Sequence, residues 1–153
     1  FEGEESDEVC AGQQSERNVE VLLVGLVGGE LEVVGCSGGV AGAKAYLGLA
    51  DRPTGVICGN DETAIAFVKT VRAAGLDIPD DLSVIGFDGI ELADFCEPTL
   101  STIAQPRFDL GARGARLLID RLDGNATAEA MPAGGRIMMQ GTLLARDSTR
   151  RID

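Results

Sequence analysis

The sequence has no histidine and few basic side chains, and both shortages exclude kinds of chemistry. The stretch GCSGG at 35–39 matches the G-x-S-x-G pattern of a serine nucleophile, but the usual general base for Ser37 is missing. We interpret that match as accidental. Four scattered cysteines without a C-x-x-C pair do not replace histidine in a zinc site. Glycine-rich phosphate-binding loops are also absent. These patterns predict no metal, no cofactor and no catalytic residue.

Basic residues number 13 against 25 acidic ones, which gives a formal net charge of −12. Such a chain repels nucleic-acid phosphates and anionic membrane surfaces. No apolar run approaches the roughly 18 residues of a membrane span, and the acidic start lacks the layout of a secretory signal. The cysteines lie mostly beside apolar residues, as small buried side chains do in a reducing compartment. We therefore expect a soluble, cytoplasmic protein that contacts neither DNA nor membrane through this chain.

With 153 residues and 44% hydrophobic content, the chain can bury one substantial core. Residues 1–30 are the least certain part, because 1–18 are acidic with few apolar positions and are expected to be partly disordered. The run VEVLLVGLVGG at 19–29 fits either a helical stripe or a strand, and we favour the helix. LEVVGC at 31–36 is typical of a strand, and a short helix is predicted over 41–50.

The clearest unit is a predicted βαβ segment. TGVIC at 54–58 and LSVIGF at 82–87 are apolar strands, and ETAIAFVKTVRAA at 62–74 has apolar residues at helical spacing with Gly75 as its stop. The two strands should be parallel with a right-handed crossover. The chain is therefore predicted to be an α/β protein with an open, mostly parallel sheet flanked by helices.

Further along, LSTIA at 100–104 is a third candidate strand, and Pro106 opens a helix that Gly124 ends. Residues 124–135 are predicted to be a loop, and 136–145 the last strand. The helix carries an apolar stripe that needs a partner surface. The stripe comprises Phe108, Gly111, Ala112, Ala115, Leu118, Ile119 and Leu122.

Polar residues follow both strands of the βαβ unit. Asn60 comes just after the first strand and Asp88 just after the second, so both belong to the carboxyl edge, where open parallel sheets bind ligands. Amide and carboxylate groups suit the hydroxyls of a sugar or ribose. An alternative is that Asn60 or Asp61 only caps the helix and Asp88 starts a turn. A carboxylate-dependent enzyme that uses Asp61, Asp88 and Glu91 is a further alternative.

Five motifs carry a resemblance to a known family: RPT at 52–54, NDETA at 60–64, GLDIPDDLSVIGFD at 75–88, PTLSTIAQP at 98–106 and LLARDST at 143–149. In their order and spacing the chain resembles the C-terminal half of the effector-binding domain of lactose- and galactose-repressor-type transcription regulators. The likeness covers about 52–149 well, 31–51 loosely and 1–30 hardly at all.

The resemblance implies a two-lobed, periplasmic-binding-protein-like fold in a bacterial transcriptional repressor without catalytic activity. Residues 31–104 and 136–153 would form the C-terminal lobe, and 105–135 would belong to the N-terminal lobe. Because the partner strands of the N-terminal lobe would be missing, the helix over 107–123 should pack on a second copy of the chain or expose its apolar stripe. Family members are considerably longer than 153 residues, so the chain would be a fragment that lacks the helix-turn-helix head. Operator DNA would be bound only through that head. A periplasmic sugar-binding protein of a transport system shares the fold and is the alternative.

Family positions that contact a small effector, a sugar or nucleoside, map onto Asn60, Asp88 and Gln105. The aromatic residue that often stacks on the ligand would fall near Ser37, and the common second aspartate after GFD is replaced by Gly89. The resemblance also implies a homodimer, with interface positions at Ile65, Val68, Phe95 and Cys96.

Overall fold

The computed structural model describes residues 21–24, 35–124 and 136–151. Its elements are β1 (Val21–Val24), α1 (Cys36–Gly48), β2 (Gly55–Cys58), α2 (Asp61–Ala73), β3 (Ser83–Asp88), a short 3-10 helix (Glu91–Asp94), β4 (Ser101–Ala104), α3 (Arg107–Leu122) and β5 (Thr142–Leu144). The strands form one sheet in the order β1-β2-β3-β4-β5. β1, β2, β3 and β4 pair in parallel, which confirms the predicted fold class.

The β2-α2-β3 segment forms the predicted parallel βαβ unit. Val56 of β2 is in register with Val84 of β3, and both side chains are buried. From α2, Phe67 and Val71 are fully buried in the same core. The ring of Phe67 meets that of Tyr46 from α1 edge to face, with ring centroids 5.7 Å apart. The core therefore lies between the sheet and the two helices α1 and α2.

Two predictions near the start of the chain were wrong. The favoured helix over 19–29 is contradicted at Val21–Val24, which is a strand paired in parallel with β2. Pairing with a neighbouring strand gives its backbone groups partners that local periodicity does not reveal. Cys36, predicted to end a strand, instead begins α1, five residues before the predicted start of that helix. The predictions for 1–18, 31–34 and 125–135 lie outside the described residues.

The C-terminal strand is shorter than predicted, since only Thr142–Leu144 of 136–145 is a strand. Beyond it, Ser148 is fully buried and bridges two strands. Its hydroxyl donates to the backbone oxygen of Val84 at 2.7 Å and accepts from the backbone N–H of Ser101 at 2.8 Å. Residues 148 and 84 are 64 positions apart, so the final segment ties together β3 and β4.

The chain divides into two compact units, Phe1–Ala104 with Leu143–Asp153, and Gln105–Thr142. The second unit contains α3, which has the predicted amphipathic pattern and no buried residue. Its apolar stripe is exposed, with Phe108 at 86% and Leu122 at 77% of their maximal accessibility. No helix among the described residues is long and apolar enough to cross a membrane.

Candidate ligand-binding site

Asn60 and Asp88 lie at the carboxyl ends of the neighbouring strands β2 and β3, as predicted. Asn60 is the N-cap of α2, and its side-chain oxygen accepts a hydrogen bond from the backbone N–H of Thr63 at 2.8 Å. This bond satisfies one of the unpaired amides at the start of the helix. It uses the carboxamide oxygen, whereas the amide nitrogen is the group that donates to hydroxyl oxygens. Capping and ligand contact are therefore compatible roles for this half-buried residue.

Asp88 is the last residue of β3, and its backbone adopts φ +118°. Among the described residues it is the only one other than glycine with a positive φ. Residues with a side chain rarely adopt this region because it is strained, and such strain clusters at functional sites. The next residue, Gly89, has φ +70°, and a Cβ there would lie 2.6 Å from the Cα and Cβ of Ala104. The tight turn accounts for glycine where the resemblance leads one to expect a second aspartate.

Asp61, the first residue of α2, lies beneath this turn and is fully buried. One carboxylate oxygen accepts from the hydroxyl of Thr102 at 2.6 Å, and the other accepts from the backbone N–H of Ile90 at 2.8 Å. The hydroxyl of Thr102 also accepts from the backbone N–H of Gly89 at 3.3 Å. Sequence reasoning treated Asp61 only as a cap or a catalytic carboxylate. Asn60 caps the helix, and both oxygens of Asp61 accept hydrogen bonds within the chain.

A glycine in β3 makes room for this buried carboxylate. At Gly86 a Cβ would lie 2.2 Å from one oxygen of Asp61. Glu91, the third member of the carboxylate alternative, is exposed. Within the described residues, no three histidine, cysteine, aspartate or glutamate side chains are grouped to hold a metal ion.

The first turn of α1 is joined to the first turn of α2. The backbone N–H of Gly35 donates to the hydroxyl of Thr63 at 3.0 Å, and that hydroxyl donates to the backbone oxygen of Gly35 at 3.2 Å. Ser37 is exposed in the first turn of α1. These bonds place the start of α1 beside the helix that Asn60 caps.

Cys58 ends β2, two positions before Asn60, and is 1% exposed. Burial, reinforced by the negative charge of Asp61, raises the pKa of its thiol from 9.0 to about 12. The thiol is therefore protonated at neutral pH and is not a nucleophile. The described cysteines, 36, 58 and 96, are all free thiols.

Gln105, the third predicted contact, follows β4 directly and is the first residue of the second unit. It is half-buried, and its backbone oxygen accepts from the N–H of Arg107 at 2.8 Å. Its contact with a ligand stays a prediction.

Three of the four predicted interface residues line a groove of about 290 Å³. Ile65 and Val68 enter it from α2, and Cys96 enters from the segment after the 3-10 helix. Val68 is only 5% exposed and belongs to the core, so its side chain takes part in ordinary core packing. The fourth, Phe95, is 83% exposed.

An open parallel sheet with polar side chains at the carboxyl ends of adjacent strands defines the class of small-molecule-binding α/β domains. The family profile described as periplasmic binding protein-like domain matches residues 27–149, and the chain belongs to this family.

Curated relatives of the chain are repressors. The HTH-type transcriptional repressor CytR of Escherichia coli K12 is 41% identical over 115 residues, which are 73% of this chain and 32% of the repressor. The HTH-type transcriptional repressor PurR of Photobacterium profundum is 40% identical over 97 residues, 63% of this chain and 28% of that protein. The chain thus spans about a third or less of the length of these relatives.

Solved structures that are similar to the chain also include transcriptional regulators. The transcriptional regulator CelR in complex with cellobiose is similar with a TM-score of 0.68 and 30% identity, over 75% of this chain and 34% of that one. A LacI family transcriptional regulator from Enterococcus faecium with bound ribose has a TM-score of 0.63 and 32% identity, over 78% and 42% of the two chains. These similarities to regulators do not favour the alternative of a transport protein.

Proposed function

We propose that the chain is part of the effector-binding domain of a cytoplasmic bacterial transcriptional repressor of the LacI family, and that it is not an enzyme. The observation that carries the proposal is the 41% identity to a repressor across the segment that contains the strand-edge site. The formal charge of −12 supports contact with operator DNA through a separate head and not through this chain.

The effector is a sugar or a nucleoside, and its hydroxyls bond to Asn60, Asp88 and Gln105. Asn60 and Asp88 are half-buried at the same sheet edge, where they combine a donor with an acceptor. The complexes of relatives with ribose and cellobiose support a ligand rich in hydroxyl groups.

Effector binding acts on the repressor by shifting the equilibrium between two conformations of its effector-binding domain. Residues 31–104 with 136–153 act as one lobe, and 105–135 belong to the other. An effector shifts the equilibrium only if it binds one conformation of the repressor better than the other.

The site is tested with Asp88→Ala in the full-length protein. Calorimetric titration with ribose, adenosine, cytidine and cellobiose first identifies a ligand of the wild-type protein. Asp88→Ala is then expected to raise Kd at least tenfold, because a charge-assisted hydrogen bond is worth about 1.5–3 kcal/mol. Its free energy of unfolding should change by no more than about 1 kcal/mol.

Glu91→Ala is the matched control, because it removes an exposed carboxylate three residues further on. It should leave Kd unchanged. Equal affinities of Asp88→Ala and wild type would contradict the site. Turnover of ribose or cellobiose that Asp88→Asn abolishes would instead support the carboxylate-dependent enzyme.

The repressor acts as a homodimer that uses the groove lined by Ile65, Val68 and Cys96 together with Phe95. Phe95 is 83% exposed and precedes Cys96, which lines the groove, so its side chain is suited to burial against a second copy. In sedimentation equilibrium, Phe95→Glu should weaken the dimer. Met138→Glu, at a residue 89% exposed, should leave the dimer intact. Equal effects of the two substitutions would contradict this interface.

A further inference from the structure

We propose that Asp61 is the positioning residue of the ligand site, which holds Asp88 in its strained backbone conformation through the two peptide N–H groups that follow it. This inference rests on the proposed function, in which Asp88 contacts the ligand. Asp61 itself touches no ligand.

Asp88 needs an external restraint. Its φ of +118° is unfavourable for a residue with a side chain, so an unrestrained turn would relax toward the extended backbone of the rest of β3. Such a relaxation would rotate the peptide planes on the C-terminal side of Asp88. Strained conformations persist only where the surroundings determine them more strongly than the local preference does.

Asp61 supplies that restraint from beneath the turn. The N–H of Ile90 donates to it directly at 2.8 Å, and the N–H of Gly89 is linked to it through the hydroxyl of Thr102 by bonds of 3.3 and 2.6 Å. Both peptides after Asp88 are therefore held by one carboxylate. A relaxed turn would take the N–H of Ile90 away from a fully buried carboxylate, which is unfavourable.

The position of the carboxylate is itself fixed by the fold. Asp61 is the first residue of α2, where the helix dipole favours a negative charge. At Gly86 a side chain would overlap its oxygen, so glycine in β3 admits it beneath the sheet edge. The N-cap residue Asn60 is its direct neighbour in sequence, so one helix start carries a ligand contact and the support for another.

The test compares four variants of the full-length protein. Asp61→Ala removes the carboxylate, Thr102→Val removes the linking hydroxyl at nearly constant shape, and Thr102→Ser keeps that hydroxyl. Ser148→Ala is the matched control, because it also deletes a fully buried hydroxyl that bonds to β3 and β4. Kd is measured by calorimetry with ribose and cytidine as probes, and crystal structures give φ of Asp88.

We expect Asp61→Ala and Thr102→Val to raise Kd at least tenfold and to move Asp88 out of the positive-φ region. Thr102→Ser should bind within twofold of wild type, and Ser148→Ala should lose stability but keep its affinity within twofold. If Asp61→Ala does not fold, the Thr102 pair decides the question.

Three results would overturn the proposal. One is wild-type affinity in Asp61→Ala and Thr102→Val, and the second is an unchanged φ of Asp88 in both. The third is a loss of affinity in Ser148→Ala as large as in Thr102→Val, which would indicate only general destabilisation. Binding that is insensitive to Asp88→Ala would instead overturn the proposed site, while a changed φ in Thr102→Val would still support the restraint by Asp61.

Discussion

Among the glycines that the structure describes, Gly39 in α1 is one of those with the least room for a side chain, and Gly39→Ala tests the contact between α1 and α2. A Cβ there would lie 2.2 Å from the backbone oxygen of Thr63, 2.8 Å from the Cβ of Ala66 and 2.9 Å from the backbone nitrogen of Phe67. Two of these three atoms belong to the backbone of α2. Because backbone atoms cannot rotate aside, the two helices would have to move apart.

The magnitude follows from two opposing effects. Alanine is favoured over glycine inside a helix by about 1 kcal/mol. Overpacking a tight core typically costs about 1–3 kcal/mol, and this contact with rigid backbone should lie at or above the upper end. The expected net loss of unfolding free energy is therefore about 2 kcal/mol or more. Gly48→Ala is the control in the same helix, since a Cβ there meets nothing within 4 Å and should be neutral or stabilising.

Urea unfolding followed by far-ultraviolet circular dichroism measures both variants. The midpoint should fall for Gly39→Ala and remain or rise for Gly48→Ala. Affinity for the effector should also fall in Gly39→Ala, because α1 contacts the first turn of α2 beside Asn60. If Gly39→Ala unfolds at the same urea concentration as Gly48→Ala, the close approach of the two helices is refuted.

The capping and ligand-binding roles of Asn60 can be separated. Asn60→Ser should keep the helix cap and lose affinity, whereas Asn60→Ala should lose affinity and about 1 kcal/mol of stability, measured by calorimetry and urea unfolding; equal affinity in Asn60→Ser and wild type would leave Asn60 as a cap only. In native protein at pH 8, iodoacetamide should label exposed Cys36 and spare Cys58, as peptide mass mapping would report; rapid labelling of Cys58 would contradict its burial. Because the folded-state pKa of Cys58 is raised from 9.0 to about 12, the unfolded chain loses that proton first as pH rises. Its contribution to stability is therefore complete below pH 9 and declines between about pH 9 and 12. Cys58→Ala should flatten this decline in urea unfolding, and an unchanged slope would argue against the raised pKa.

Local signals account for the elements that the sequence predicted correctly. The βαβ unit has two short apolar strands around a helix with apolar residues at helical spacing, and Asn60 precedes that helix as a cap. The strand-edge positions of Asn60 and Asp88 follow from this order alone. For α3, an opening proline and an amphipathic pattern were sufficient.

The errors and omissions depend on contacts between distant residues. Val21–Val24 is a strand because β2 lies beside it, which a pattern that also fits a helix cannot reveal. The role of Asp61 depends on Thr102, 41 positions away in β4, and on the space left at Gly86. An acidic residue in the first turn of a helix is so common that sequence alone does not distinguish a buried support from an exposed cap.

The bridge that Ser148 makes between β3 and β4 has a consequence for how the molecule is made. During synthesis, residues 105–142 of the second unit leave the ribosome before Ser148 does, so the bridge between β3 and β4 cannot form until the second unit has been translated. Until then, the backbone oxygen of Val84 and the backbone N–H of Ser101 lack the partner that the hydroxyl of Ser148 supplies. The hydrogen bond between Ser148 and Val84 spans 64 positions of the chain. A unit assembled from separated stretches in this way has a high contact order, and it should fold more slowly than the continuous helix α3 that interrupts it.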